Sequence, residues 1–321
     1  MSAASSGPVV AIINPWSANG ALGRDSADVL RVLRREVGAC ETLMTRAPGH
    51  ATRLARDAIR GGASLVIAVG GDGTIHEVAN GFFDDGRPAA GSAALGVLPV
   101  GTGGDFRRSA GIPKDLAAAA ALLMRGERRP IDVGLLEQPA PGDGQTRRVF
   151  VNIASFGIPG LVDQIVNSSS KRLGGRLSFA LGTLRAAVRY TNQRVRLVFD
   201  GNEDDHLEAT INSVAVANGQ YFGGGMRVAP DAALDDGRFD VVVIGDLSRF
   251  EILTSGPRIY AGTHVTLPKV RVRRAISVTA HPVDVNEQVL LDVDGETPGA
   301  LPARFTLLSA ALPVVLPARP A

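Results

Sequence analysis

Through the first 130 positions, short apolar runs alternate with amphipathic stretches. Val9 to Ile13, Glu41 to Thr45, Leu65 to Val69 and Leu95 to Leu98 read as strands. Between them, Val29, Leu30, Leu33 and Val37 share one helical face in a segment that Asp25 is expected to cap, and Pro48 is expected to start a helix carrying Leu54, Ala58 and Ile59. Lys114 to Arg125 is Ala-rich and stops at Gly126. Such alternation is the pattern of βαβ units around a parallel sheet.

Beyond Ile131 the pattern becomes strands joined by turns. Arg148 to Ile153, Arg194 to Asp200, Ala209 to Ala217, Phe239 to Ile244, Lys269 to Thr279, Gln288 to Asp294 and Arg304 to Leu308 are the expected strands of a β-sandwich, interrupted by helices over Leu173 to Tyr190 and near Arg249 to Tyr260. The expected division is an α/β domain over 8–130 and a β-rich domain over 131–313, the C-terminal end of which can return to the first domain.

The strand tips carry the candidate chemistry. Leu65 to Val69 runs into Gly70-Gly71-Asp72-Gly73-Thr74 and then the helix-compatible Ile75-His76-Glu77. Three glycines within four residues let backbone approach a polyphosphate, and a helix starting there aims its free N–H groups at the same place. Asp72 repels phosphate directly, so it is expected to act through Mg²⁺ or an ordered water. Thr74 is the expected cap of the helix. An ordinary strand-to-helix turn is the plainer reading of these residues alone.

With 321 residues, about two domains are expected. Hydrophobic residues make up 45% but aromatic ones only 5%, which puts Ala, Val, Leu and Ile in the cores. A net charge of +2 makes no case for nucleic acid as a partner. Cys40 is single, so no intrachain disulfide forms; it reads as a small buried hydrophobe. Met1 to Gly7 lacks the features of a secretion signal, and no apolar window is long enough to span a membrane, so a cytoplasmic chain that touches a membrane surface is expected.

Three further segments make the glycine turn specific: Asn14-Pro15-Trp16-Ser17-Ala18-Asn19-Gly20 after the first strand, Gly101-Thr102-Gly103-Gly104-Asp105-Phe106 after the fourth, and Leu291-Asp292-Val293-Asp294-Gly295-Glu296 near the end. Taken in this order, the four segments resemble the diacylglycerol kinase catalytic family, from about Val9 to Pro313. The resemblance implies an NAD kinase-like α/β domain and a β-sandwich domain with a cleft between them. It further implies an ATP-dependent, Mg²⁺-using kinase that phosphorylates a lipid hydroxyl at the inner membrane face.

By that resemblance the nucleotide is held by Asn14, Pro15, Trp16, Ser17, Ala18, Thr45, Gly70 through Glu77, Gly101, Thr102, Gly103 and Asp105. Trp16 is read as a packing residue more than a base-stacking one. Asp72 and Asp105 organise the catalytic Mg²⁺, and Glu296 is the proton acceptor with Asp294 close behind. In an extended strand Asp292 and Asp294 would share a face. Asp-Gly between apolar residues is also a common hairpin turn.

A structural Mg²⁺ is implied at Asp236 with the carbonyls of Ala233 and Arg238, where the alternative is an exposed acidic turn. Arg24 and Lys171 are the implied contacts to phosphate or lipid headgroup, Lys171 opening a basic-apolar stretch with Arg172 and Arg176 that from its residues alone reads equally as a core helix with a solvated end. The chain departs from the family at Ala18, usually Gly, and at Gly104, usually Asn. The other readings are a kinase for a soluble substrate such as NAD, and a nucleotide- or lipid-binding regulator without turnover. Oligomeric state stays open, a homodimer included.

Overall fold

The glycine turn sits at the tip of a fully buried strand. In the computed structural model, which describes residues 7–17, 21–101, 104–140, 142, 144–162 and 190–319, β1 (Val9–Ile13), β2 (Glu41–Met44), β3 (Leu65–Gly70) and β6 (Ala94–Pro99) run parallel in the order β2-β1-β3-β6, with the end of β16 (Ala303–Leu316) beside β6. All six residues of β3 are buried. A parallel strand covered on both faces needs an unbroken apolar run, and burying each Leu, Val or Ile there contributes roughly 1.5–3 kcal/mol.

Around this sheet, α1 (Ala21–Glu36) packs beside α5 (Leu116–Arg125), and α2 (His50–Arg60) beside α3 (Asp72–Asn80). Two-residue strands β4 (Phe83–Asp84) and β5 (Arg87–Pro88) form a small hairpin, and α4 (Asp105–Ser109) follows β6.

Three helix starts differ from expectation. α1 begins at Ala21, so Asp25 lies inside it rather than at its cap. α2 begins at His50 behind Gly49, which takes the left-handed conformation (φ 74°), so Pro48 lies ahead of the helix. α3 begins at Asp72 after extended Gly71, which places Thr74 in the first turn and frees its hydroxyl for another partner.

The chain divides into two compact units, residues 1–131 with 310–321, and 132–309. In the second, β7 (Glu127–Ala140) forms an antiparallel hairpin with β8 (Gly144–Phe150), and β9 (Ile153–Gly157) pairs with both β11 (Asn202–Ala217) and β15 (Leu291–Val293). β10 (Gln193–Phe199), β12 (Phe239–Gly245), β13 (Val270–Ala275) and β14 (Ser277–Pro282) complete an antiparallel sandwich-like array in the order β13-β12-β11-β10-β14-β16. The helix α6 (Arg249–Ala261) opens with a Ser248/Glu251 capping box. The few aromatic residues are concentrated here: Phe150 stacks on Phe239 at 5.7 Å and Phe156 on Phe305 at 6.1 Å.

Three strand assignments are corrected. β7 was not among the expected strands; Pro130 lies outside the β7–β8 ladder, and bare Gly134 makes room for the Phe150 ring. The run from Lys269 to Thr279 is two strands. The chain changes partners at Ile276, where the Asp200 carboxylate accepts the N–H groups of Ile276 and Ser277. The last expected strand before the Asp-Gly-Glu turn shrinks to Leu291–Val293. The helix expected over 173–190 lies outside the described residues but for Tyr190. No helix among the described residues is long and apolar enough to cross a membrane.

Candidate active site

In the first unit, the tips of β1, β3 and β6 converge. Asn14 Nδ2 donates to Thr74 Oγ1 at 3.1 Å, and the Ser17 and Thr74 hydroxyls lie 3.4 Å apart. Gly70 is required beneath them, since a Cβ there would lie 2.4 Å from Thr74 Oγ1 and 2.8 Å from Ser17 Oγ. Val100 N–H donates to the Gly70 carbonyl, and a Cβ on Gly101 would come within 3.2 Å of the Gly71 Cα, so these loops pack backbone on backbone. Thr45 is buried, its N–H donating to the Ile13 carbonyl. Hydroxyl and amide groups thus surround the start of α3, where the Thr74 and Ile75 N–H groups donate to the Gly71 carbonyl and those of Asp72 and Gly73 have no carbonyl to accept them within the helix.

Asp72 does something the sequence did not announce. Its carboxylate accepts the consecutive backbone N–H groups of Gly104 (2.7 Å), Asp105 (3.2 Å) and Phe106 (3.1 Å), clasping the β6–α4 loop to the start of α3. Buried Asp105 is in turn paired with Arg108. Burial, with Arg108 alongside, lowers the Arg107 guanidinium from its ordinary value. Gly104 takes a left-handed conformation (φ 78°), which Gly and Asn adopt most readily.

Other members of the expected nucleotide set are engaged elsewhere. Glu77 Oε2 accepts from Ala51 N–H at the start of α2, Ile75 is buried in the core, and buried His76 lies beside Asn80. Trp16 is 74% exposed, which corrects the expectation that it packs. Ala18, Thr102, Gly103 and Lys171 lie outside the described residues, as does the side chain of Arg24 on α1. Cys40 is only half-buried, and burial raises its thiol. His264 is buried.

In the second unit, Val293 and Glu296 exchange backbone hydrogen bonds around Asp294 (φ 50°) and Gly295 (φ 90°), a two-residue hairpin with both central residues left-handed. Asp294 therefore leaves the strand and does not share a face with Asp292. Asp292 reaches Ser155 Oγ and Gly295 N–H. Asp294 accepts the N–H groups of Val151 (2.9 Å), Asn152 (3.1 Å) and Ile153 (2.9 Å), a second three-amide clasp. Glu296 Oε2 accepts from Arg148 Nη1 at 2.6 Å, and both side chains are 38% exposed.

Sequence reasoning missed Arg148 and Asn152. Buried Asn218 Nδ2 donates to the carbonyls of Asp132 and Val151, and Asn152 Nδ2 to that of Tyr221, so the amide-donating segment is itself pinned. An Asn within the apolar run Phe150 to Ala154 was the available signal.

At the Asp236 loop, Asp236 Oδ1 accepts from Arg238 N–H and Oδ2 pairs with Arg274. Nearby Asp240 is buried with an Oδ2 that has no hydrogen-bond partner, and burial raises its carboxyl above the usual range. A buried carboxylate oxygen without a hydrogen-bond partner, beside the Asp236 loop and within reach of the Arg274 charge, fits a hard cation in kind. No cluster of three or more His, Cys, Asp or Glu arranged to hold a metal occurs among the described residues.

Comparison with known proteins bears on this arrangement. Residues 8–136 match the diacylglycerol kinase catalytic domain, and residues 152–316 match the YegS C-terminal NAD kinase beta sandwich-like domain. A Bacillus subtilis protein named diacylglycerol kinase is 32% identical over 308 residues, 95% of each chain. The chain belongs to the diacylglycerol kinase family. Another member, the diacylglycerol kinase of Mycobacterium tuberculosis, is 29% identical over 97% of this chain and 96% of its own.

The crystal structure of a diacylglycerol kinase from Bacillus anthracis shares the fold, with TM-score 0.67 at 22% identity over 96% of both chains. So does yeast NADH kinase complexed with NADH, with TM-score 0.51 at 11% identity over 98% of this chain and 85% of that one. The two-domain NAD kinase-like fold with a sandwich-like second domain is thus the one this lipid kinase family uses here.

Proposed function

We propose that this kinase transfers the γ-phosphoryl group of ATP to a hydroxyl of a diacylglycerol-like lipid at a membrane surface. The observation that carries the reading is the converged strand tips of the first unit. Bare Gly70, Gly71 and Gly101, the Asn14, Ser17 and Thr74 side chains and the start of α3 offer backbone and hydroxyl donors to a polyphosphate. Asp72 works there as the clasp of the loop carrying Thr102 and Gly103, and Asp105 as the partner of Arg108.

In the transfer, the acceptor hydroxyl oxygen forms a bond to the γ-phosphorus, the bond from that phosphorus to the β–γ bridging oxygen breaks, and ADP leaves with the electron pair. The hydroxyl proton passes to Glu296. Asp294 directs its oxygens at three amides and shapes the turn, so Glu296 is the proton acceptor of the two. Mg²⁺ bound with the nucleotide supplies neutralisation of phosphate charge. A second Mg²⁺ at Asp236 and the carbonyls of Ala233 and Arg238 would serve the loop that Asp132 also holds through Gly237 N–H.

Purified protein with γ-labelled ATP, Mg²⁺ and detergent micelles containing dioleoylglycerol is expected to give labelled phosphatidic acid. Glu296→Gln is expected to reduce turnover by about 100-fold or more, the usual scale of positioned acid–base catalysis. Transfer to NAD but to no lipid supports the soluble-substrate reading, and ATP binding without transfer to any acceptor supports the regulator. Either result defeats the proposal.

A further inference from the structure

We propose that Arg148 is a positioning residue of the transfer site, holding the Glu296 carboxylate at the angle from which it takes the acceptor's proton. This rests on the reading of Glu296 as the proton acceptor.

The segment 148–153 receives both acids of the Asp-Gly-Glu turn. Three successive amides hold Asp294, and Arg148, three residues before the first of them, holds Glu296. Alternation along β8 separates the adjacent arginines: Arg147 pairs with Glu137 across the β7–β8 hairpin, while Arg148 reaches Glu296.

The pair is 38% exposed on each side, a setting in which an ion pair adds little to folding stability. The turn's backbone is already fixed by the Asp294 clasp and the Val293–Glu296 hydrogen bonds. What the backbone leaves undetermined is the direction of the Glu296 side chain, with three rotatable bonds. A guanidinium with several N–H donors in a fixed plane supplies that direction. When the hydroxyl proton moves to Glu296 as the oxygen–phosphorus bond forms, the carboxyl becomes neutral and its attraction to Arg148 weakens, so the contact directs the carboxylate before the transfer and relaxes after it.

The test compares wild type, Arg148→Gln, Arg148→Lys, Glu296→Gln and the double variant as full-length protein, in mixed micelles of dioleoylglycerol and phosphatidylglycerol. Arg148→Gln is expected to lower kcat about 10- to 100-fold, the scale of a misplaced catalytic group, with the KM for ATP changed less than about threefold. Arg148→Lys recovers turnover to within about fivefold of wild type, because one donor and the charge remain. In the Glu296→Gln background the same Arg148→Gln change costs less than about twofold, since its target is gone.

An equal loss in both backgrounds, a rise in KM with kcat unchanged, or no recovery with Lys overturns the proposal. So does a melting temperature lowered by about 10 °C or more in both Arg148 variants, which assigns the pair to folding. Where the residual turnover of Glu296→Gln is too small to measure, the kcat–KM split and the Lys recovery decide. A wild type that phosphorylates no lipid removes the proposed function and this inference with it, whereas an active wild type with additive losses removes only the role of Arg148.

Discussion

Replacing Asp72 by Ala separates two kinds of carboxylate in this kinase. The change strips the acceptor from three backbone amides at 2.7, 3.2 and 3.1 Å, on a loop that carries buried Asp105 and Phe106. Hydrogen bonds to a charged group contribute about 1.5–3 kcal/mol each, but the site is only half-buried and water can reach part of it, which puts the net loss at about 2–4 kcal/mol. At about 2–4 °C per kcal/mol, the melting temperature should fall by roughly 4–16 °C. Glu296→Gln loses only a half-exposed ion pair, about 0–1 kcal/mol, and should melt within a few degrees of wild type while losing turnover. Thermal unfolding checks the contrast, and hydrogen exchange at the Gly104, Asp105 and Phe106 amides locates it. If Asp72→Ala melts with wild type and those amides keep their protection, the clasp does not hold the loop.

Three further outcomes follow from particular contacts. A Cβ at Gly134 would lie 2.0 Å from the Phe150 ring, so Gly134→Ala should destabilise the second unit by about 1–3 kcal/mol, measurable by urea unfolding. Gly104→Asn, at a left-handed position whose added Cβ would face the Arg107 side chain, should change stability by less than about 1 kcal/mol; a larger loss in the same titration contradicts the backbone argument. Burial holds the His264 imidazole below its ordinary value. As pH drops below about 6.5, the unfolded chain therefore takes up a proton that the folded chain does not, and stability falls by up to about 1.4 kcal/mol per pH unit. Melting curves from pH 7.5 to 5.5 should show this slope, and His264→Gln should flatten it.

The parts of the fold legible in the sequence are those where burial dictates composition. β1, β3 and β6 are enclosed, so they had to be apolar runs, and the glycines at their tips mark where backbones meet. β7 was hidden because the reasons it tolerates Gly134 and Pro130 lie in Phe150 and in the limits of the β7–β8 ladder, not in the segment itself. At the candidate site the residue types were legible and their orientation was not. A period-two reading kept Asp294 in the strand, yet its positive φ turns the carboxylate toward amides 141 to 143 positions away. Nothing local to Arg148 shows a partner 148 positions later.

The last strand makes the first unit discontinuous along the gene product. Leu312, Val314, Val315 and Leu316 are buried, and Val314 lies opposite Leu95 on β6. A fragment ending near residue 136 would thus expose one side of β6 as an apolar, unpaired border, prone to self-association. Domain-dissection studies should graft residues 310–319 onto such a fragment through a flexible connector, and lipid kinases of this pattern should resist division by a single cut.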